Sequence, residues 1–176
     1  MKVNKEFLEA ELKMGVSFDN PEFMSLCEAT AKQIDLPIKT VLDYGAGTGC
    51  YAYAFDKLGY DVSAYEIWEA HREYMTEKMP HIKQVDYPFT TDLLLSIEVF
   101  EHMTDEEINR LFDQVAPTWI LFSSTSIRTE WDLEWGHINV KEQEEWIKLF
   151  ESKGYTFVKD LTYPTEWAKL FKYGKA

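Results

Sequence analysis

The 176-residue chain predicts an α/β fold: parallel strands in one sheet with helices on both faces, closed by an antiparallel hairpin. Three observations point there. From residue 39 onward, short β-rich runs alternate with helical patterns. Leu93, Leu94 and Leu95 form an uninterrupted apolar run of the kind that parallel strands bury on both faces. The first strand, Val41-Leu42-Asp43, runs directly into Tyr44-Gly45-Ala46-Gly47-Thr48-Gly49, a turn whose glycines permit positive φ and close approach of a ligand to the backbone.

Taken in order, residues 3–14 read as a helix with Phe7, Leu8 and Leu12 on its apolar side. Asn20 is the expected N-cap of a second helix with Pro21 as its first residue and Phe23, Cys27, Ala31 and Ile34 along one face, stopped by Pro37. Strand 39–43, helix 48–58, strand 61–66, helix 68–79 and a short strand 82–85 follow. The apolar fourth strand spans 92–97, and Thr104-Asp105-Glu106-Glu107 has the pattern of a capping box, which accounts for its acids without a further role. Residues 118–123 form the fifth strand and 124–138 a loop; Asn139 with Glu142 is expected to cap a helix carrying Trp146, Leu149 and Phe150. The chain ends in two strands, 155–161 and 166–172, around Pro164. One domain over 1–176 is expected, with 1–37 as a helical cover and 38–172 as the core sheet.

Composition narrows the function. A hydrophobic fraction of 45% and an aromatic fraction of 15% describe a packed protein. The net charge of −13, with no local run of Lys or Arg, argues against nucleic acid as a partner and suits a small-molecule substrate. Two cysteines, Cys27 and Cys50, make neither a disulfide framework nor a four-cysteine zinc site. No signal-like N-terminus or membrane-length apolar run is present, so a cytoplasmic protein with no membrane partner is expected; its oligomeric state is not legible.

The glycine turn carries the chemistry. Its order is Asp-x-Gly-x-Gly-x-Gly, whereas a dinucleotide fingerprint would place a glycine where Cys50 stands. An acid at the strand end suits a ligand with an ammonium group and repels a pyrophosphate. A second acid, Glu66, stands at the end of the next strand, where a carboxylate can accept both ribose hydroxyls. In these residues the chain resembles the class I S-adenosylmethionine-dependent methyltransferases over about residues 38–172. The resemblance implies a Rossmann-like sheet and S-adenosyl-L-methionine as cofactor. It places the cofactor along Asp43, Tyr44, Gly45, Ala46, Gly47 and Gly49, then Glu66 and Ile67, with Asp86 at the adenine amino group and Ile97 at the end of the fourth strand.

A second group follows that strand: Glu98-Val99-Phe100-Glu101-His102. One helical turn there would set Glu98, Glu101 and His102 on a single side, with Val99 and Phe100 inward. This Glu-x-x-Glu-His pattern resembles that of ubiquinone-biosynthesis-like O-methyltransferases, and also that of small-RNA 3′-terminal 2′-O-methyltransferases, in which it binds a divalent metal with a later histidine. His137 is the counterpart of that histidine. Two carboxylates and two imidazoles would suit Mg or Mn, among other divalent ions, with His102 and His137 as the catalytic pair; alternatives are His102 as a lone general base and a merely structural turn. Trp131 and Trp135 could wall a flat or cationic substrate or simply pack under the loop; His71 and His81 read as surface residues. The sequence thus points to a small-molecule O-methyltransferase, with an RNA 3′-end 2′-O-methyltransferase and a non-catalytic S-adenosylmethionine-binding protein as the rivals.

Overall fold

A computed structural model describes residues 4–174. The helices α1 (Asn4–Lys13) and α2 (Pro21–Lys32) precede the sheet. Asn20 caps α2 as expected, its side chain accepting from Glu22 N–H at 3.1 Å. The helix nevertheless ends at Lys32, before Pro37 is reached, and Ile34 is buried from the turn beyond it.

The alternating pattern then unfolds as β1 (Thr40–Tyr44), α3 (Cys50–Lys57), β2 (Asp61–Tyr65), α4 (Glu69–Lys78), β3 (Lys83–Val85), β4 (Leu93–Ile97), α5 (Asp105–Gln114) and β5 (Trp119–Ser123). A four-residue helix, α6 (Asp132–Trp135), interrupts the segment expected to be loop. After α7 (Gln143–Ser152), strands β6 (Tyr155–Asp160) and β7 (Lys169–Tyr173) close the sheet. The α7 cap is Glu142, in a reciprocal capping box with Glu145. Asn139 does not cap it, because its amide donates to the Met103 carbonyl and to Asp105, both at 2.9 Å.

The seven strands lie in the order β3-β2-β1-β4-β5-β7-β6; the first five are parallel, while β7 runs antiparallel to both β5 and β6. Alternation along β1 divides the core between two faces: Val41 packs with α2, α3 and α4 residues such as Ala31, Phe55 and Met75, and Leu42 with Ile108, Trp146 and Phe150 of α5 and α7. No helix lies between β3 and β4. The connection carries Tyr87 and Pro88 instead, and these line the rim of a cavity of about 520 Å³ above the carboxyl ends of the strands. A reversal of strand order between β1 and β4 is where such sheets open a crevice.

Candidate active site

The glycine turn is built as its residues require. Gly45, Gly47 and Gly49 all have positive φ, at 73°, 53° and 76°. Two of them also lack room for a side chain. A Cβ on Gly45 would stand 2.7 Å from a Val99 methyl, and one on Gly49 2.6 Å from Met75. Around a Cβ on Gly47 there is no atom within 4 Å, and Gly47 lines the cavity.

Both predicted strand-end acids hold this turn. Asp43 is buried beneath it and accepts Ala52 N–H at 3.0 Å, so the first turn of α3 presents one amide to Asp43 instead of to a ligand. Burial pushes the Asp43 carboxyl up to about 7, against that hydrogen bond, and the nearby charge of Glu66 adds to the rise. Asp43 does not line the cavity. Glu66 does, and its two oxygens accept Gly47 N–H at 2.8 Å and Trp68 N–H at 2.9 Å. Each oxygen keeps a second acceptor site, which fits a pair of ribose hydroxyls. Gly45 and Ala46 donate to the Tyr65 carbonyl, Tyr44 stacks on Tyr65 with centroids 5.1 Å apart, and Ile67 is exposed at the cavity wall. Asp86 is brought elsewhere: its carboxylate is paired with Arg72 at 2.8 Å and mostly exposed, and the neighbouring Tyr87 lines the cavity in its place. Ile97 is half-buried in the core beside the cavity and is not part of its wall.

The second constellation is assembled differently from the single helical side expected. Glu98 has a left-handed backbone, φ 54°, and only Phe100–His102 form a 3-10 turn. The reversal turns the Glu98 carboxylate toward β5, still near enough to Glu101 for its charge to act there. It accepts the Ser123 hydroxyl, Thr125 N–H at 3.1 Å and Trp167 Nε1–H at 3.0 Å, so Glu98 is committed to β5 and the C-terminal hairpin and leaves the predicted metal set. Val99 lines the cavity, and Phe100 is buried as expected.

Glu101, His102 and His137 do converge: each offers a ligand atom, and these lie within 4.8 Å of one another. The Glu101 carbonyl accepts Ile138 N–H and Asn139 N–H at 2.8 and 2.9 Å, which draws the His137 segment over the site. Glu101 is fully buried. Its Oε2 accepts the Ser124 hydroxyl at 2.9 Å while Oε1 has no partner among the described residues, and burial together with the Glu98 charge holds its carboxyl well above the usual range. Burial pushes His102 down to about 4, and the His137 ring, whose centroid is 4.8 Å away, acts in the same direction. The Gly136 backbone beside the ring opposes that shift but does not cancel it. His137 Nδ1 faces Asp132 Oδ1 at 3.5 Å, an ion-pair distance without a formed hydrogen bond.

Two other expectations change. Trp131 is largely exposed, whereas Trp135 packs edge-on against Phe7 at 5.3 Å. His81 is half exposed, but His71 is completely buried: its Nε2 meets Glu11 at 2.7 Å and it belongs to the cavity wall. The burial of His71 comes from α1, sixty residues earlier, so no local pattern in α4 announces it.

A mostly parallel sheet with this strand order and an antiparallel C-terminal pair, a glycine turn after β1 and a carboxylate after β2 defines the class I S-adenosylmethionine-dependent methyltransferase fold. The chain belongs to the methyltransferase-domain family, whose model matches residues 17–160. No curated protein sequence matches it. Among solved structures it is similar to DesVI from Streptomyces venezuelae, at 12% identity and a TM-score of 0.70 over 99% of this chain and 100% of that one. It is also similar to the human N-acetylserotonin methyltransferase in complex with S-adenosylmethionine, at 16% identity and a TM-score of 0.67, covering 98% of this chain and 57% of that one. With the mitomycin 7-O-methyltransferase MmcR the values are 16% and 0.61 over 87% of this chain, which spans 54% of the length of MmcR. No helix among the described residues is long and apolar enough to cross a membrane.

Proposed function

We propose that the protein transfers a methyl group from S-adenosylmethionine to an oxygen of a small molecule, with a divalent cation such as Mg or Mn at Glu101, His102 and His137. The observation that carries the cofactor assignment is the pairing of Gly47 and Glu66 at the cavity: an open glycine whose N–H fixes a carboxylate with spare acceptor sites. S-adenosylmethionine supplies an electrophilic methyl on a sulfonium, and a cation would supply positive charge that favours the ionised form of an acceptor hydroxyl.

The chain's own residues have separable tasks in this reading. Gly45, Gly47 and Gly49 give the backbone shape, Glu66 accepts the ribose hydroxyls, and Ile67 and Tyr87 flank the adenine. Tyr44 lines the cavity beside Gly45, and Ala46, Asp43 and Ile97 support that shape from behind. The His102 ring, kept neutral by burial, can coordinate or take a proton from the acceptor. The unpartnered Oε1 of Glu101 supports the cation: a buried carboxylate oxygen without a donor gains most from a positive charge. Ligand atoms on one ion at about 2.1 Å lie no more than about 4.2 Å apart, so the three groups need to close by about half an ångström from their widest spacing.

Transfer of labelled methyl to a panel of small phenols, catechols and alcohols, with and without EDTA, tests the proposal. Activity that EDTA abolishes and Mn restores is the expected result; full activity in excess EDTA removes the cation and leaves His102 as a lone base. Binding of S-adenosylhomocysteine without any transfer would favour the non-catalytic reading.

A further inference from the structure

Four carboxylates line the cavity, and two of them, Glu66 and Glu98, have both oxygens engaged by the protein's own donors. Glu66 holds Gly47 and Trp68, Glu98 holds Ser123, Thr125 and Trp167, and Glu107, exposed at the start of α5, takes the backbone and hydroxyl of Thr104 on Oε2. Glu11, on the cover helix α1, differs. Its Oε2 meets His71 Nε2 at 2.7 Å, its Oε1 takes no hydrogen bond among the described residues, and its side chain is only 20% exposed.

His71 holds the Glu11 carboxylate in place. His71 is fully buried and its Nδ1 has no partner among the described residues. The one polar contact of the buried ring among them is therefore the one to Glu11, which fixes where that carboxylate stands. The carboxylate's Oε1 is left for a ligand's donor.

Two aromatic rings stand beside this pair. Phe7, one helical turn before Glu11, contacts Trp68 with centroids 4.5 Å apart, and Trp68 contacts His71 at 5.2 Å. Phe7 also reaches His102, at 6.1 Å, so this wall adjoins the catalytic end of the cavity. Arg110 is the one Lys or Arg that lines the cavity among the described residues, and it lies on α5. An oriented anion with a free oxygen, flanked by aromatic rings and without a competing cation, is a site for an organic ammonium.

We infer that Glu11, His71, Phe7 and Trp68 form a subsite for a protonated amine carried by the methyl acceptor, so that the substrate is an amine-bearing, cationic molecule and anionic acceptors are rejected. This rests on the methyltransferase reading for the identity of the ligand as acceptor.

The test is calorimetry with the full chain. S-adenosylhomocysteine is titrated first; its failure to bind would defeat the methyltransferase reading itself. With that ligand saturating at pH 7.5, tyramine, 4-ethylphenol and 3-(4-hydroxyphenyl)propionate are compared, since they share one ring and differ in charge. Tyramine is expected to bind at least tenfold more tightly than the carboxylate. Glu11→Gln, which preserves an acceptor for His71, is expected to reduce that preference to within twofold while S-adenosylhomocysteine affinity stays within threefold. Equal binding of the two charged probes, no tyramine binding at 10 mM, or a preference that survives Glu11→Gln overturns the inference. So does a tenfold loss of S-adenosylhomocysteine affinity in that variant, which would give the carboxylate to the cofactor. Should Glu11→Gln not fold, Trp68→Leu decides: it keeps the charge and is expected to weaken tyramine several-fold, and unchanged tyramine binding contradicts the subsite.

Discussion

At the carboxyl ends of β1 and β2 the acids are engaged by backbone amides: Asp43 by Ala52, and Glu66 by Gly47 and Trp68. At the ends of β4 and β5 the polar groups are unevenly satisfied. Glu98 carries three donors, while Glu101 Oε1 and His137 Nδ1 lack hydrogen bonds. The first region is a finished cradle that a ligand completes only by adding contacts. The second holds buried polar atoms whose cost a ligand would relieve. Such an imbalance places rigidity on the cofactor side and responsiveness on the acceptor side.

The largest expected effect comes from breaking the finished side at Asp43. Its folded carboxyl titrates at about 7, above the 3.8 of an unperturbed group. The folded state therefore holds this proton more tightly, and Asp43's contribution to stability is complete below about pH 4 and lost as pH rises through 7. The difference is worth on the order of 4 kcal/mol. Denaturant unfolding of the ligand-free protein between pH 4.5 and 8 should show a steeper decline for wild type than for Asp43→Asn; identical slopes would mean that the carboxyl is not desolvated.

Next come the glycines. Gly49→Ala must both hold a left-handed backbone and displace the buried Met75, a cost of about 3 kcal/mol in urea unfolding. Gly47→Ala faces open space and bears only the conformational part, about 1–2 kcal/mol. Equal destabilisation would show that the two positions are not distinguished by packing. Glu66→Ala should follow, weakening S-adenosylhomocysteine by one to two decades, about 1.5–3 kcal/mol for hydrogen bonds to a charged group, with unchanged affinity in a folded variant excluding Glu66 from the site.

The same contrast explains what could be read in advance. Asp43, the glycines and Glu66 belong to one strand–helix–strand unit, and the parallel register of β1 with β2 brings them together without help from distant segments. The acceptor side depends on long-range events. Helical spacing grouped Glu98 with Glu101 and His102, and a left-handed backbone at Glu98 commits its carboxylate to Ser123, Thr125 and Trp167. Asn139 had the composition of a cap but was drawn to Met103 and Asp105, so Glu142 took that place. Asp86 followed an ion pair with Arg72 out of the cavity. His71 was unrecognisable because its neighbour Glu11 comes from a helix that the α4 sequence does not mention. His137 was legible through a motif resemblance, and it reaches Glu101 and His102 because the Glu101 carbonyl holds the following residues.

The central claim is that the cofactor cradle is complete without the acceptor side. Titration of S-adenosylhomocysteine into wild type in excess EDTA and into His137→Ala tests it most directly. Binding in both, with dissociation constants within twofold of wild type without EDTA, is the predicted result. A tenfold loss in either, or no binding at millimolar ligand, would contradict it.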